Sequence, residues 1–162
     1  MNMMKEDVLR LLDSQGVQYD LAEHRPVYTV EEIDDLQLKQ VDCIAKNLFI
    51  RDDKKRQYFL LTVQKDKRAN LKQLQARLGT RRLSFASEAD LSNILNLTKG
   101  EVTPFGVLND QEHRVTVLFD TAFQGKRIGV HPNTNTATVW LEADDLFRLI
   151  AQHGNAVQWI EI

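Results

Sequence analysis

Apolar positions recur along the chain with two periods, and the changes between them mark the elements. Val8, Leu11 and Leu12 stand at helical spacing and predict an amphipathic helix over roughly 4–15, ended near Gly16. Val17 to Leu21 is a short strand candidate. Thr29-Val30-Glu31-Glu32 places threonine three residues before glutamate, a capping box that opens a short helix toward Leu36. Cys43 to Arg51 reads as a strand, 52–55 as a turn, and Gln57 to Gln64 as a second strand. Within the latter, Tyr58 to Val63 is nearly all apolar or β-branched, the mark of a strand covered on both faces. Leu71, Leu74 and Leu78 mark a helix stopped by Gly79, and Ser87-Glu88-Ala89-Asp90 starts another that carries Leu91, Ile94 and Leu95. Arg114–Asp120, Arg127–Val130 and Thr136–Leu141 read as strands. A helix around Leu146–Ile150, ended at Gly154, leads into a last strand over Val157–Ile162.

The sequence contains no linker, repeat or low-complexity segment. This order of elements predicts a single α+β domain over 1–162, with a mixed, mostly antiparallel central sheet flanked by helices. At 162 residues with 43% apolar side chains, the chain is long enough to bury one real core. No run approaches the 18 or so apolar residues of a membrane span, and the first residues lack the basic-then-apolar pattern of a secretory signal. The expectation is a cytoplasmic protein with no membrane partner. The single cysteine, Cys43, excludes an internal disulfide or a cysteine zinc cluster. His24, His113, His131 and His153 are far apart, so neither metal nor cofactor is expected.

Net charge is −2, but its distribution is uneven. Residues 1–42 hold ten acids against four bases, whereas residues 51–82 hold eleven bases against three acids. The basic stretch reads either as a solvated face with a lysine-rich turn or as a phosphate-contacting stripe suited to RNA ends.

Lys46 is the most informative residue. Side chains alternate along a strand, so it shares a face with Ile44, Leu48 and Ile50, while Cys43 and Asn47 fall on the other. A lysine among large aliphatics is costly unless its ammonium reaches water, an anion or a carbonyl-rich pocket. It therefore either snorkels at a sheet edge or points into a cleft. Cys43 reads as core packing. Gly100 to Gly106, with Pro104 inside, is either a tight connection or a loop whose backbone N–H approaches a ligand. In the second loop, Pro132 holds His131 extended, so it is either a structural histidine of the turn or a group projecting beside a site, with Asn135 and Thr136 as amide and hydroxyl partners. No Gly-x-Ser-x-Gly elbow, P-loop or dinucleotide fingerprint occurs.

Five stretches, in this order, resemble the YbaK/prolyl-tRNA-synthetase-associated editing domain family. They are His24 to Glu32, Lys46 to Asp52, Arg82 to Ala86, Gly100 to Gly106, and His131 to Thr138. Within the family the likeness is to the branch of freestanding Ala-tRNA(Pro) deacylases, the PrdX-like prolyl-tRNA editing proteins. The resemblance implies the fold of that family and a metal-independent hydrolase that cleaves mischarged Ala-tRNA(Pro) in trans. It gives Lys46 the place of the essential strand lysine, at the 3′-terminal adenosine or its phosphate. Gly100 and Pro104 match the family's Gly-x-x-x-Pro loop, which places the ester and the water. His131 matches the histidine lining the amino-acid pocket, and Asn135 matches that loop's asparagine. Asn133 departs from the pattern where an aliphatic residue, usually leucine, is expected, and that departure bears on pocket size.

The physics agrees with such an assignment. A synthetase pocket built for proline rejects smaller alanine weakly, because missing methylenes are worth only about 1–3 kcal/mol. A second hydrolytic site that excludes the proline ring supplies the rest. An aminoacyl ester is already activated, so positioning a water and stabilising the carbonyl suffice, with a ribose hydroxyl assisting proton transfer. The stretch 51–82 then becomes the acceptor-stem face, with Arg81 and Arg82 as phosphate contacts and prolyl-tRNA synthetase as a further partner. Two other readings stay open: a deacylase for serine or cysteine on tRNA, and a non-catalytic module that binds tRNA or a synthetase.

Overall fold

A strand covered on both faces needs two cores, and the computed structural model, which describes residues 2–162, supplies them. The helices are α1 (Lys5–Ser14), α2 (Val30–Asp35), α3 (Leu71–Leu78), α4 (Glu88–Asp90) and α5 (Ala143–His153). The strands are β1 (Tyr19–Glu23), β2 (Ala45–Asp52), β3 (Tyr58–Gln64), β4 (Leu83–Phe85), β5 (Val115–Asp120), β6 (Arg127–Val130), β7 (Ala137–Glu142) and β8 (Val157–Ile160). They form a five-stranded sheet, β4-β2-β3-β5-β8, and a three-stranded sheet, β1-β7-β6. Only the β3–β5 and β5–β8 pairings are parallel, so the arrangement is α+β, mixed and mostly antiparallel. β3 lies inside the larger sheet. Tyr58 and Leu60 enter the main core with Leu12, Phe105 and Leu146, while Phe59, Leu61 and Val63 enter a second core with Leu74 of α3 and Ile160.

Local chemistry sets the ends of the elements. The Thr29 hydroxyl accepts from the Glu32 N–H at 3.2 Å, which is half of the expected capping box; the Glu32 carboxylate accepts from the Tyr28 N–H at 3.4 Å instead of that of Thr29. Gly79 and Gly154, at φ 67° and 111°, close α3 and α5 in the left-handed region. β4 and the 3-10 helix Pro104–Asn109 are elements that the spacing did not mark, several strand ends shift by one or two residues, and three differences have a plain local cause. Val17 is not a strand residue: Gly16 turns left-handed and the Val17 N–H returns to the Leu12 carbonyl, so β1 starts only at Tyr19. The strand read from Cys43 begins at Ala45, because 41–43 form a 3-10 turn in which the Cys43 thiol donates to the Gln40 carbonyl. The helix capped by Ser87 widens after Asp90 into a π turn over Leu91–Leu95, which buries Leu91, Ile94 and Leu95 together.

The site depends on how β2 is paired. β3 covers one edge of it from Ala45 to Arg51. On the other edge β4 pairs only with Ile50–Asp52. Just before β2, Ile44 bridges in parallel to Gly129 of β6 and joins the two sheets. The uncovered half of β2 therefore faces the seam between sheets.

Candidate functional site at the seam of the two sheets

A cavity of about 190 Å³ occupies this seam. Ala45, Lys46 and Asn47 form one side, and Gly129, Val130 and His131 at the end of β6 form the opposite one. Thr138, Gly100 and the segment leading into α2 complete it.

Lys46 is half-buried, and its Nζ donates to the backbone carbonyl of Lys67, in the turn after β3. That carbonyl answers the desolvation problem set by the sequence. The turn is held from two sides. Lys67 Nζ lies 2.9 Å from the fully buried Asp120 carboxylate, and Lys65 Nζ lies 2.7 Å from Asp34 of α2. The Asp120 carboxylate also accepts the N–H groups of Gln64 and Ala122.

His131 Nδ1 is 2.9 Å from the Ala137 carbonyl. A carbonyl only accepts, so Nδ1 carries the proton and Nε2 is left as an acceptor. Burial pushes the His131 pKa down; the Ala137 hydrogen bond opposes this, and nearby His24 adds to it. The ring is neutral near pH 7. His24, whose ring centroid is 6.3 Å away, is oriented in the same fashion. Its Nδ1 donates to the Arg25 carbonyl at 2.8 Å, and its Nε2 accepts from the Thr138 hydroxyl at 2.9 Å.

Gly100 sits at φ 90°, and a Cβ there would lie 2.4 Å from Cδ1 of Tyr28. Both the backbone conformation and the approach of the ring demand glycine.

Lys46, Gly100 and His131 thus share one cavity, whereas the other residues singled out from the sequence lie outside its wall. Pro104 is buried behind it as the first residue of the 3-10 helix Pro104–Asn109. Asn135 is also buried: its Nδ2 donates to the Val27 carbonyl at 3.2 Å, which fixes a wall segment from behind. Thr136 is exposed, and its hydroxyl pairs with that of Thr134. Asn133 is not among the residues lining this cavity. It adopts φ 59°, and its Nδ2 donates to the Met3 carbonyl at 2.8 Å, so the departure at this position bears on packing rather than pocket size. Arg81 and Arg82 flank β4 near Asp52, about six residues and roughly 20 Å along β2 from Lys46. Arg81 is held by Asp53 through contacts of 2.6 and 3.1 Å, while Arg82 is exposed.

The basic stretch is partly neutralised in the same way. Arg51, Lys65, Lys67 and Arg81 have carboxylate partners. Among the described residues, Lys54, Lys55, Arg56, Arg68, Lys72, Arg77 and Arg82 have none, Arg77 donating to the Glu161 backbone carbonyl instead.

His24, Tyr28, Asn47 and Thr138 were not singled out for the site by their spacing. The His24–Thr138 contact spans 114 positions and leaves no local pattern. Asn47 lies opposite Lys46 in the pleat and bonds Thr62 of β3, yet it lines the same cavity because the cavity sits at the open edge of β2.

Among the described residues, no group of three or more His, Cys, Asp or Glu side chains converges as a metal site. No helix is long and apolar enough to cross a membrane.

The sequence profile of the aminoacyl-tRNA editing domain matches residues 24–149. The chain is 46% identical over 159 residues to the prolyl-tRNA editing protein ProX of Acetoanaerobium sticklandii, covering 98% of this chain and 97% of that protein. It is 33% identical over 152 residues to prolyl-tRNA synthetase associated domain-containing protein 1 of Danio rerio, covering 92% and 82% of the two chains. A crystal structure described as a candidate trans-editing enzyme for prolyl tRNA synthetase superposes with a TM-score of 0.75 at 19% identity, covering 97% of this chain and 94% of the other. That likeness establishes the fold.

Proposed function

The chain belongs to the aminoacyl-tRNA editing domain family, and from that premise we propose that it hydrolyses the ester of mischarged Ala-tRNA(Pro) in trans. The observation that carries this reading is the meeting of Lys46, Gly100 and His131 in one small cavity whose wall contains neither serine nor cysteine. Such a site suits an ester that is already activated and needs a positioned water rather than a protein thiol or serine.

In this reading the alanyl group occupies the cavity beside His131. Lys46, fixed by the Lys67 carbonyl, presents its ammonium to the 3′-terminal nucleotide. The Gly100 loop brings backbone close to the ester without a side chain in the way. Water attacks the ester carbon, the bond to the ribose oxygen breaks, and alanine leaves. The water's proton passes through the neighbouring ribose hydroxyl to the departing ribose oxygen. A neutral His131 contributes an acceptor and part of the wall. The cavity admits alanine and refuses the proline ring, and so supplies the discrimination that a proline-activating pocket lacks. The unpaired basic side chains, Arg82 included, face the acceptor stem.

Deacylation of Ala-tRNA(Pro) beside Pro-tRNA(Pro), by wild type and Lys46→Ala, tests this. Loss of alanine only, abolished in the variant, is the expected result. Turnover of seryl- or cysteinyl-tRNA instead would reassign the amino acid. Binding of tRNA without turnover of any ester would make the chain a recruiting module.

A further inference from the structure

A second groove opens on the other side of the Gly100 loop. It measures about 370 Å³ against about 190 Å³ for the first, and shares Asn47, Gly100 and Val102 with it. Leu48, Phe49 and Leu91 give it an apolar wall, Phe85 of β4 stands beside them, and Lys99 lies at Gly100. Phe85 is 62% exposed and Tyr28, on the first cavity, 61%. The two most exposed aromatic rings therefore flank Gly100, one on each side.

Building on the deacylase reading above, we propose that this groove receives the 3′-terminal adenine of the aminoacyl-tRNA, with the Phe85 ring as its stacking platform. The ester oxygen belongs to the ribose that carries the base, so an aminoacyl group in the first cavity leaves its base no further away than one nucleoside. The groove that shares the Gly100 wall meets that condition. A third hollow, beside α3 and lined by Leu61, Asn70, Leu74 and Ile162, does not.

A purine has apolar faces and a polar edge. The groove offers an apolar wall, with Asn47, Ser87 and Glu88 among its polar groups. Aromatic side chains stack on any base, and the exposed Phe85 ring on edge strand β4 stands at the apolar wall with a face open to one. β4 runs antiparallel to β2, from Leu83 opposite Asp52 to Phe85 opposite Ile50, and the Ala86 N–H continues onto the Phe49 carbonyl. Passing from exposed Arg82 to Phe85, the groove and then Lys46 gives the sequence phosphate, base, ester that an entering 3′ end requires.

The test compares Ala-tRNA(Pro) ending in adenosine with the same tRNA ending in an abasic ribose, both alanylated. Wild type, Phe85→Ala and Phe85→Trp are assayed as full chains, with thermal melts to confirm folding. Wild type should prefer the substrate with the base. Phe85→Ala should shrink that preference in kcat/KM by about five- to a hundredfold, the span of base–aromatic stacking, mainly through KM. Phe85→Trp should keep the preference. An unchanged preference in Phe85→Ala, or none in wild type, would overturn the proposal and leave the groove to another occupant such as a protein partner. Failure of wild type to hydrolyse either substrate would instead overturn the deacylase reading, and this proposal with it.

Discussion

The Thr103 hydroxyl donates to the backbone carbonyl of His131 across 2.5 Å, although the two residues lie 28 positions apart. Thr103 is fully buried and caps the 3-10 helix that Pro104 begins. The two loops that carry Gly100 and His131 are thereby fastened to each other. Pro104 acts at one remove: its fixed φ starts the helix whose cap holds the His131 backbone.

Thr103→Val should uncouple the loops at nearly constant volume. It leaves a carbonyl without its partner, which costs about 1–3 kcal/mol. Deacylation should fall further than stability does, because the His131 side of the cavity loosens. Denaturant melts and single-turnover assays on the same samples check both. Equal activity in the variant would show that the link is structural only.

At Gly100, alanine meets two penalties at once. The left-handed backbone resists a Cβ by about 1–2 kcal/mol, and the Tyr28 ring must move from the 2.4 Å approach. Gly100→Ala should therefore lose most deacylation while the fold persists, measured by turnover and circular dichroism. Pairing it with Tyr28→Ala should recover part of the loss, since the ring is then gone and only backbone strain remains.

How far the site was legible depends on the range of each contact. The strand lysine, the helix cap at Thr29 and the two-faced strand over Tyr58–Val63 are local patterns, and they stand where their spacing puts them. Gly16 and the turn before Ala45 defeated the strand boundaries because a left-handed residue and a 3-10 turn consume backbone donors that a strand would use. The division into two sheets had no local signal. It rests on the Ile44–Gly129 bridge and the short reach of β4, both of which join segments distant in sequence. Asn133 shows the same limit: motif position suggested a pocket residue, while the backbone turns its side chain toward Met3.

Protonation of His131 should be visible in stability. Burial lowers its folded pKa, so between that value and the unfolded value of about 6.5 the unfolded chain binds more protons. Stability is then complete above about pH 6.5 and is lost as pH falls toward the folded pKa. His131→Asn should flatten this slope in urea melts run across the acidic range. An unchanged slope would assign it to other groups.

Asp120 should govern Lys46 from a distance. Its carboxylate holds Lys67 Nζ and two backbone N–H groups, and the Lys67 carbonyl in turn holds Lys46. Asp120→Asn keeps the shape but removes the charge, weakening charge-assisted bonds worth roughly 1.5–3 kcal/mol each. Deacylation should drop by about ten- to a hundredfold through misplacement of the ammonium. Lys67→Met should reproduce much of that loss, because it removes the same ion pair from the other end.

Thr138 decides between two sources of the attacking oxygen. Its hydroxyl donates to His24 Nε2 at 2.9 Å, and His24 is oriented by the Arg25 carbonyl, so a hydroxyl, a base and an orienting acceptor stand in a row. That geometry admits attack by threonine itself. The ribose-assisted route needs a water instead, with Thr138 serving as wall and as anchor for His24. Thr138→Val removes the oxygen at similar volume and should reduce deacylation by no more than about tenfold, the loss of one orienting hydrogen bond of about 1 kcal/mol. Replacing the 2′-hydroxyl of the terminal ribose by hydrogen, with the ester on the 3′ position, should abolish turnover in wild type. The opposite pair of results, a dead Thr138→Val and an active deoxy substrate, would place the nucleophile on the protein and turn His24 from an orienting residue into the base.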